Sequence, residues 1–122
     1  MIAHTTLPVR DYARSKAFYA RLLGTLGYWN NMEFGEAAGF NDGKNTDFWI
    51  KSSPSIVPLH LAFEAKNAEE VHAFHAAALA AGARDNGKPG YRDYWPGYYA
   101  AFVHDPDGHN IEAVWYDYSK AG

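Results

Sequence analysis

Two histidines and two acidic residues recur at matching places in the two halves of this 122-residue chain. His4 opens the segment HTTLPVRDYARSKAFY, and His60 opens the similar segment HLAFEAKNAEEVHAFH. Asp47 ends the segment DGKNTD, and Glu112 ends DGHNIE. Imidazole nitrogens and carboxylate oxygens together bind Ni(II), Co(II), Zn(II), Mn(II) or Fe(II). If the two halves fold alike, these four side chains are expected to converge on one divalent metal ion.

Each half begins with a strand, followed by a residue that caps a helix. Asp11 precedes a segment with apolar residues at helical spacing, and Asn67 precedes a second one. Phe18 corresponds to Phe74 at the same offset of 56 that relates His4 to His60. The sequence therefore predicts an internal repeat with a helix over residues 12–26 in its first copy.

The second part of each copy is predicted to be a set of short strands. In the first copy the strands are expected near 28–33, 36–41 and 46–51, after a first strand over 2–9. The Asp-Gly pairs at 42–43 and 107–108 favour tight turns and correspond at an offset of 65. The second copy is thus predicted to be longer, with its extra residues largely in a loop over 87–97.

Each copy is therefore a βαβββ module, and the predicted fold class is α+β. One helix on a small mixed sheet covers only one of its faces, so two modules are expected to share one core. We predict a single domain over 1–122, with module one at about 1–52 and module two at about 57–118.

Alternation along the strands assigns side chains to the two sheet faces. Leu7 and Val9 are expected to face one helix, and Leu61 and Phe63 the other. The opposite faces then carry the proposed metal ligands His4, Asp47, His60 and Glu112. Trp49 shares the face of Asp47 and is a candidate for binding the substrate.

Composition excludes several classes of function. The chain has no cysteine, so disulfides, thiolate nucleophiles and cysteine zinc sites are excluded. The net charge of −3 and the scattered basic residues disfavour a nucleic-acid partner. No apolar stretch is long enough to span a membrane, and no secretory signal is recognised, so a cytoplasmic protein is expected.

Aromatic and basic residues cluster around the long loop. Arg92, Trp95 and Tyr98 either pack this loop down or form a wall of a substrate pocket. His104 and His109 flank the Asp-Pro-Asp-Gly turn and are expected to be solvated.

Four sequence motifs are distributed over nearly the whole chain. They are HTTLPVRD from residue 4, SKAFY from residue 15, HLAF from residue 60 and DPDGHNIE over 105–112. They resemble the vicinal oxygen chelate superfamily, which includes glyoxalase I, extradiol dioxygenases, fosfomycin-resistance enzymes and bleomycin-binding proteins. The resemblance implies metal ligands at His4, His60 and Glu112, with Asp47 at the fourth position. It also implies that the modules pair into an open barrel and that a homodimer is the expected state, in which the two modules of one site come either from one chain or from two.

The sequence departs from glyoxalase I at two positions that matter for its substrate. The arginine that contacts glutathione in that enzyme falls on Pro8, and the asparagine after the fourth ligand falls on Lys51. These differences disfavour a glutathione hemithioacetal as the substrate.

Three functions follow from these observations. The first is a metal-dependent enzyme of lyase, isomerase or oxygenase type, which chelates a small molecule through two neighbouring oxygens and uses Glu112 as the catalytic group. The second is a metal-free protein that binds a drug or metabolite, as bleomycin-binding relatives do. The third is a degenerate relative that keeps only the fold. The retained ligand residues favour the enzyme.

Overall fold

The computed structural model describes residues 1–120 and shows two four-stranded mixed sheets, each associated with one helix. The chain divides into two compact units, and the second begins at Pro58. Each unit has the element order β-α-β-β-β, so the α+β class and the duplicated βαβββ module are confirmed.

The first module contains β1 (Thr5–Val9), α1 (Tyr12–Gly24), β2 (Trp29–Phe34), β3 (Ala37–Asn41) and β4 (Thr46–Ser52). Its sheet order is β1-β4-β3-β2, with β1 parallel to β4 and the other pairs antiparallel. Asp11 caps α1 by accepting a hydrogen bond from the Arg14 backbone N–H. The helix ends earlier than the predicted residue 26, because the chain turns through Gly27, which has a positive φ.

The second module contains β5 (His60–Glu64), α2 (Ala68–Ala80), β6 (Arg84–Tyr91), β7 (Tyr98–His104) and β8 (Asn110–Tyr116), followed by a short 3₁₀ turn (Tyr118–Lys120). Its sheet order, β5-β8-β7-β6, repeats that of the first module. Asn67 caps α2 through the Glu70 backbone N–H. Within residues 1–120, neither helix is long and apolar enough to cross a membrane.

The predicted loop over 87–97 is wrong in its first five residues, which belong to β6. The strand contains Gly87, Pro89 and Gly90, and its pairing with β7 shifts register twice. A proline is tolerated because β6 is an edge strand, where its missing N–H breaks no ladder.

The predicted assignment of faces agrees with the burial of most of these side chains, although Leu61 is only half-buried. Leu7 and Val9 are fully buried, as are Phe18 and Leu22 of α1. In the second module Phe63, Val71, Phe74, Ile111 and Ala113 form the equivalent core.

The register of the sheets corrects the alignment of the two copies. Thr5 lies opposite Phe48 in the first module, whereas Leu61 lies opposite Ile111 in the second. Because β1 and β5 correspond at an offset of 56, β4 and β8 correspond at 63 and not at 65. The position equivalent to Glu112 is therefore Trp49, and the equivalence of Asp47 with Glu112 is wrong by two residues.

The turns explain the misalignment. Asp42 accepts hydrogen bonds from the backbone N–H groups of Lys44 and Asn45, at 2.8 and 2.9 Å. In the second module Asp105 caps the turn in the same way, accepting from the backbone N–H groups of residues 107 and 109. Asp42 therefore corresponds to Asp105, and the matching Asp-Gly pair at 107–108 lies two residues further into its turn.

Candidate functional site

A row of four neighbouring residues crosses the sheet of the second module. In order across the sheet they are Ala62 of β5, Glu112 of β8, Phe102 of β7 and Gly87 of β6, and each lies opposite the next. Residues opposite one another project from the same face of a sheet, and residues two apart in a strand share that face. His60 therefore projects from the same face as Glu112.

Glu112 is the buried acid of this face, with 1% of its surface exposed. Its Oε1 lies 2.7 Å from Nε2 of His60. Its Oε2 accepts a hydrogen bond from the Tyr98 hydroxyl. Both carboxylate oxygens are thus engaged, as a buried charged group requires.

Tyr98 fixes the orientation of this carboxylate. Burial raises the pKa of the Tyr98 hydroxyl above its usual value, and the hydrogen bond to Glu112 raises that pKa further. Tyr98 consequently remains a neutral donor at physiological pH. Sequence reasoning proposed it as a substrate-binding residue, and the structure adds its contact with Glu112.

His60 and Glu112 offer donor types that divalent metals bind, an imidazole nitrogen and a carboxylate oxygen. The two atoms lie 2.7 Å apart, in hydrogen-bond contact. Two ligand atoms at about 2.0–2.2 Å from one ion lie about 3 Å apart or more, so a bound ion would replace this hydrogen bond. The His60 side chain is 52% exposed, so an ion from solvent can reach its ring.

The first module carries different groups at its predicted site positions. His4 is an exposed residue immediately before β1, and its role as a ligand stays a prediction. Asp47 is half-buried; its Oδ2 accepts a hydrogen bond from Tyr28 at 3.3 Å. Its Oδ1 is buried and has no hydrogen-bond partner within residues 1–120. Trp49 stacks on Phe34, with 6.1 Å between the ring centroids.

Burial raises the pKa of the Asp47 carboxyl, against the lowering effect of the Tyr28 hydrogen bond. The register removes the symmetry argument that made Asp47 a fourth ligand. The indole of Trp49, at the corrected position, offers no lone pair that binds metals.

A second group of possible ligands lies in the turn between β7 and β8. Ligand atoms of Asp105, Asp107 and His109 lie within 4.8 Å of one another. However, Asp105 Oδ1 holds the turn through the Asp107 and His109 backbone N–H groups. The His109 ring is fully buried and its Nδ1 accepts from the Leu59 backbone N–H at 3.1 Å, so the expectation that His109 is solvated is wrong.

The remaining predicted site residues lie around β6 and β7. The Arg92 guanidinium carbon lies 5.4 Å from the centroid of the Phe102 ring. Trp95 stacks on Tyr116 at 5.2 Å and contacts the ring of Tyr98. Sequence reasoning missed Phe102, because an aromatic residue in the run AAFV has no signal that separates it from an ordinary core residue.

Comparison with known families decides the membership of the chain. Residues 1–113 match the model of the Glyoxalase/Bleomycin resistance protein/Dioxygenase superfamily. The chain belongs to this superfamily. The comparison with curated proteins finds no match.

Solved structures of superfamily members share this fold. A glyoxalase/bleomycin resistance protein from Albidiferax ferrireducens is 32% identical, with a TM-score of 0.81 over 93% of this chain and 96% of that chain. A family enzyme from Burkholderia phytofirmans is 20% identical, with a TM-score of 0.75 over 94% and 98%. A lactoylglutathione lyase from Agrobacterium tumefaciens is 17% identical, with a TM-score of 0.70 over 94% and 92%. The last two similarities bear on the fold alone.

Proposed function

We propose that this protein is a metal-dependent enzyme that acts on a small molecule through two neighbouring oxygens. The proposal depends mainly on one observation, the 2.7 Å approach of the His60 nitrogen to the buried Glu112 carboxylate. His60 and Glu112 would hold the divalent ion, and His4 is proposed as the third protein ligand. Bound metal would supply Lewis-acid polarisation of the substrate oxygens.

This ligand set differs from the four-ligand set first expected. With Trp49 at the position equivalent to Glu112, we propose two imidazoles and one carboxylate. Such a set leaves open coordination positions and is typical of non-haem iron oxygenases, although Ni, Co, Zn and Mn use the same donor types. Lyase, isomerase and oxygenase chemistry all remain within the proposal.

The protein side chains have separate proposed roles. Glu112 is the group that holds or accepts a proton, because it is the buried carboxylate of this sheet face. Tyr98 donates to Glu112 and keeps the carboxylate in one orientation. Phe102 lies opposite Glu112 in the sheet and is proposed to shield this carboxylate from water.

A metal-free binding protein is the second candidate. It is favoured by the aromatic side chain of Trp49, which stands at the first-module position equivalent to Glu112. An aromatic ring at this position suits packing against a ligand and not metal binding. A homodimeric state and a cytoplasmic location stay predictions under either function.

The metal content of the purified protein, compared with that of His60→Ala, tests the proposal. We expect near-stoichiometric metal and a higher melting temperature on adding Ni(II), Mn(II), Fe(II) or Zn(II) to wild type, with both effects lost in His60→Ala. Low metal content in both proteins, with no thermal stabilisation by any of these ions, would contradict the enzyme and favour the metal-free binding protein.

A further inference from the structure

A small pocket opens beside Phe102, the residue opposite Glu112 in the sheet. Its volume is about 230 Å³, and it is lined by Asn86, Gly87, Arg92, Tyr94, Phe102 and Asn110. Pockets that enclose whole drug-sized ligands usually measure about 300–1,000 Å³. This pocket therefore suits one end of a small molecule.

The Arg92 guanidinium is held in a defined position in this pocket. Its Nη1 donates to the Gly90 carbonyl at 2.8 Å, and its Nη2 donates to the Lys88 carbonyl at 2.7 Å. A guanidinium has five N–H groups, so three remain after these two hydrogen bonds. The side chain is thus oriented by backbone groups while it retains donors for a ligand.

Gly87 makes the room that the guanidinium occupies, and Gly90 lies at an ordinary contact distance from it. A Cβ atom at Gly87 would lie 3.0 Å from Nη2 of Arg92 and 3.0 Å from Cδ1 of Phe102. A Cβ atom at Gly90 would lie 3.4 Å from Nη1. The segment 87–92 thus accommodates the guanidinium at this point of β6.

Two backbone carbonyls and the Phe102 ring stabilise the charge of Arg92. Among the residues that the structure describes, no carboxylate forms an ion pair with Arg92, and no other charged side chain lines the pocket. The side chain is half-buried against Phe102. A partly desolvated guanidinium with free donors favours a planar anion, which it binds through two parallel hydrogen bonds.

The Phe102 ring connects this pocket to the proposed catalytic groups. Its centroid lies 5.4 Å from the Arg92 guanidinium carbon and 6.1 Å from the centroid of the His60 ring. His60 and Glu112 do not line this pocket, but Arg92 and the His60 ring both neighbour Phe102, so a molecule that extends out of the pocket along Phe102 can contact both Arg92 and the His60–Glu112 pair.

We propose that Arg92 binds the carboxylate of an organic acid and that the substrate of this enzyme is a small carboxylate-bearing molecule. This inference depends on the proposed function, since it names the substrate class of the same site. The two amide side chains of the pocket, Asn86 and Asn110, bind each other at 3.1 Å and provide a polar, uncharged wall for the carboxylate.

Binding of benzoate and of its neutral analogue benzamide to chelator-treated protein tests this proposal. We expect wild-type protein to bind benzoate at least tenfold more tightly than benzamide, as measured by amide NMR titration. Arg92→Gln should weaken benzoate binding at least tenfold, and Arg92→Lys should give an intermediate loss. Because the protein is metal-free, an absence of metal binding would defeat the proposed function without affecting this result.

Two further variants and a phosphate probe make the test specific. Arg84→Gln removes an exposed arginine at the start of β6, the strand that Arg92 follows, and should leave benzoate binding unchanged. Gly87→Ala retains the Arg92 charge but displaces the guanidinium, so it should also weaken binding. Melting temperatures verify that each variant is folded. Four results would each overturn the proposal. They are equal affinity for benzoate and benzamide, equal benzoate affinity of Arg92→Gln and wild type, no benzoate binding at tens of millimolar, and tighter binding of inorganic phosphate than of benzoate.

Discussion

Trp49 holds, in the sheet of the first module, the register position that Glu112 holds in the second. Each lies opposite a residue of the preceding antiparallel strand, Gly39 for Trp49 and Phe102 for Glu112. The first module therefore has a glycine and a tryptophan at the two positions where the second module has a phenylalanine and a glutamate. The duplicated modules have retained their backbone pairing while their site-facing side chains have diverged.

Asp47→Asn tests whether Asp47 binds metal. If it is no ligand, the affinity for Ni(II) should equal that of wild type, as measured by calorimetry. The substitution should also raise the melting temperature by a few degrees at pH 7. Burial raises the pKa of the Asp47 carboxyl in the folded protein. Above that folded pKa the ionised carboxylate therefore destabilises the fold. This destabilisation disappears as the pH falls below the pKa of Asp47 in the unfolded chain, near 3.9. A fall of tenfold or more in Ni(II) affinity would restore Asp47 as a ligand.

Tyr98→Phe should lower the free energy of unfolding by about 1–3 kcal/mol, because it leaves Oε2 of the buried Glu112 without its donor. Urea denaturation measures the change. Tyr94→Phe is the matched control, since Tyr94 is 65% exposed and touches Tyr98 only through ring contact. The control should change stability by less than about 0.5 kcal/mol. Equal losses in the two variants would show that the hydroxyl of Tyr98 does not support Glu112.

Gly39→Ala should destabilise the first module by about 1–3 kcal/mol through overpacking. A Cβ atom at this position would lie 2.7 Å from Cγ2 of Thr46 and 2.9 Å from the Trp49 ring. Gly24→Ala, at the end of α1, has nothing within 4 Å of the added Cβ and should be neutral or slightly stabilising. Thermal denaturation of both variants provides the comparison. An unchanged melting temperature for Gly39→Ala would mean that the Trp49 ring moves freely at this position.

Asp85→Asn should make the protein less dependent on pH in the acid range. The hydrogen bond from His75 at 2.9 Å is the main cause that lowers the pKa of Asp85 in the folded protein. A lowered folded pKa gives stabilisation that is present above the unfolded pKa of about 3.9 and is lost as the pH falls through the folded pKa. Asp85→Asn should therefore be less stable than wild type at pH 5–7, with the difference closing below about pH 4. Asp93→Asn, in the exposed loop, serves as the control, and a difference that stays constant with pH would refute the assignment.

The order of helices and strands along the chain and the helix caps could be predicted because each is encoded locally. Asp11 and Asn67 precede apolar residues at helical spacing, and Leu7 and Val9 are two residues apart in a predicted strand. The correspondence of β4 with β8 could not be predicted, since it depends on how many residues each turn uses. The two Asp-Gly pairs occupy different positions in their turns, so an alignment based on them places Asp47 where Trp49 belongs.

The candidate site was predictable only in part for the same reason. His60 and Glu112 stand in segments with strong strand and turn signals, and their approach follows from parallel pairing of β5 with β8. The buried state of His109 depends on a hydrogen bond to Leu59, fifty residues away in sequence. The position of Arg92 depends on two register shifts in an edge strand, which no local pattern specifies.

Paramagnetic broadening of the histidine ring resonances by Mn(II) tests the central claim most directly, since each candidate metal site contains a different histidine. At sub-stoichiometric Mn(II) we expect the rings of His60 and His4 to broaden first, while His75 and the buried His109 stay sharp. Glu112→Gln should abolish this selective broadening. Selective broadening of His109, the histidine of the turn cluster with Asp105, or uniform broadening of all six rings, would contradict a metal site at His60 and Glu112.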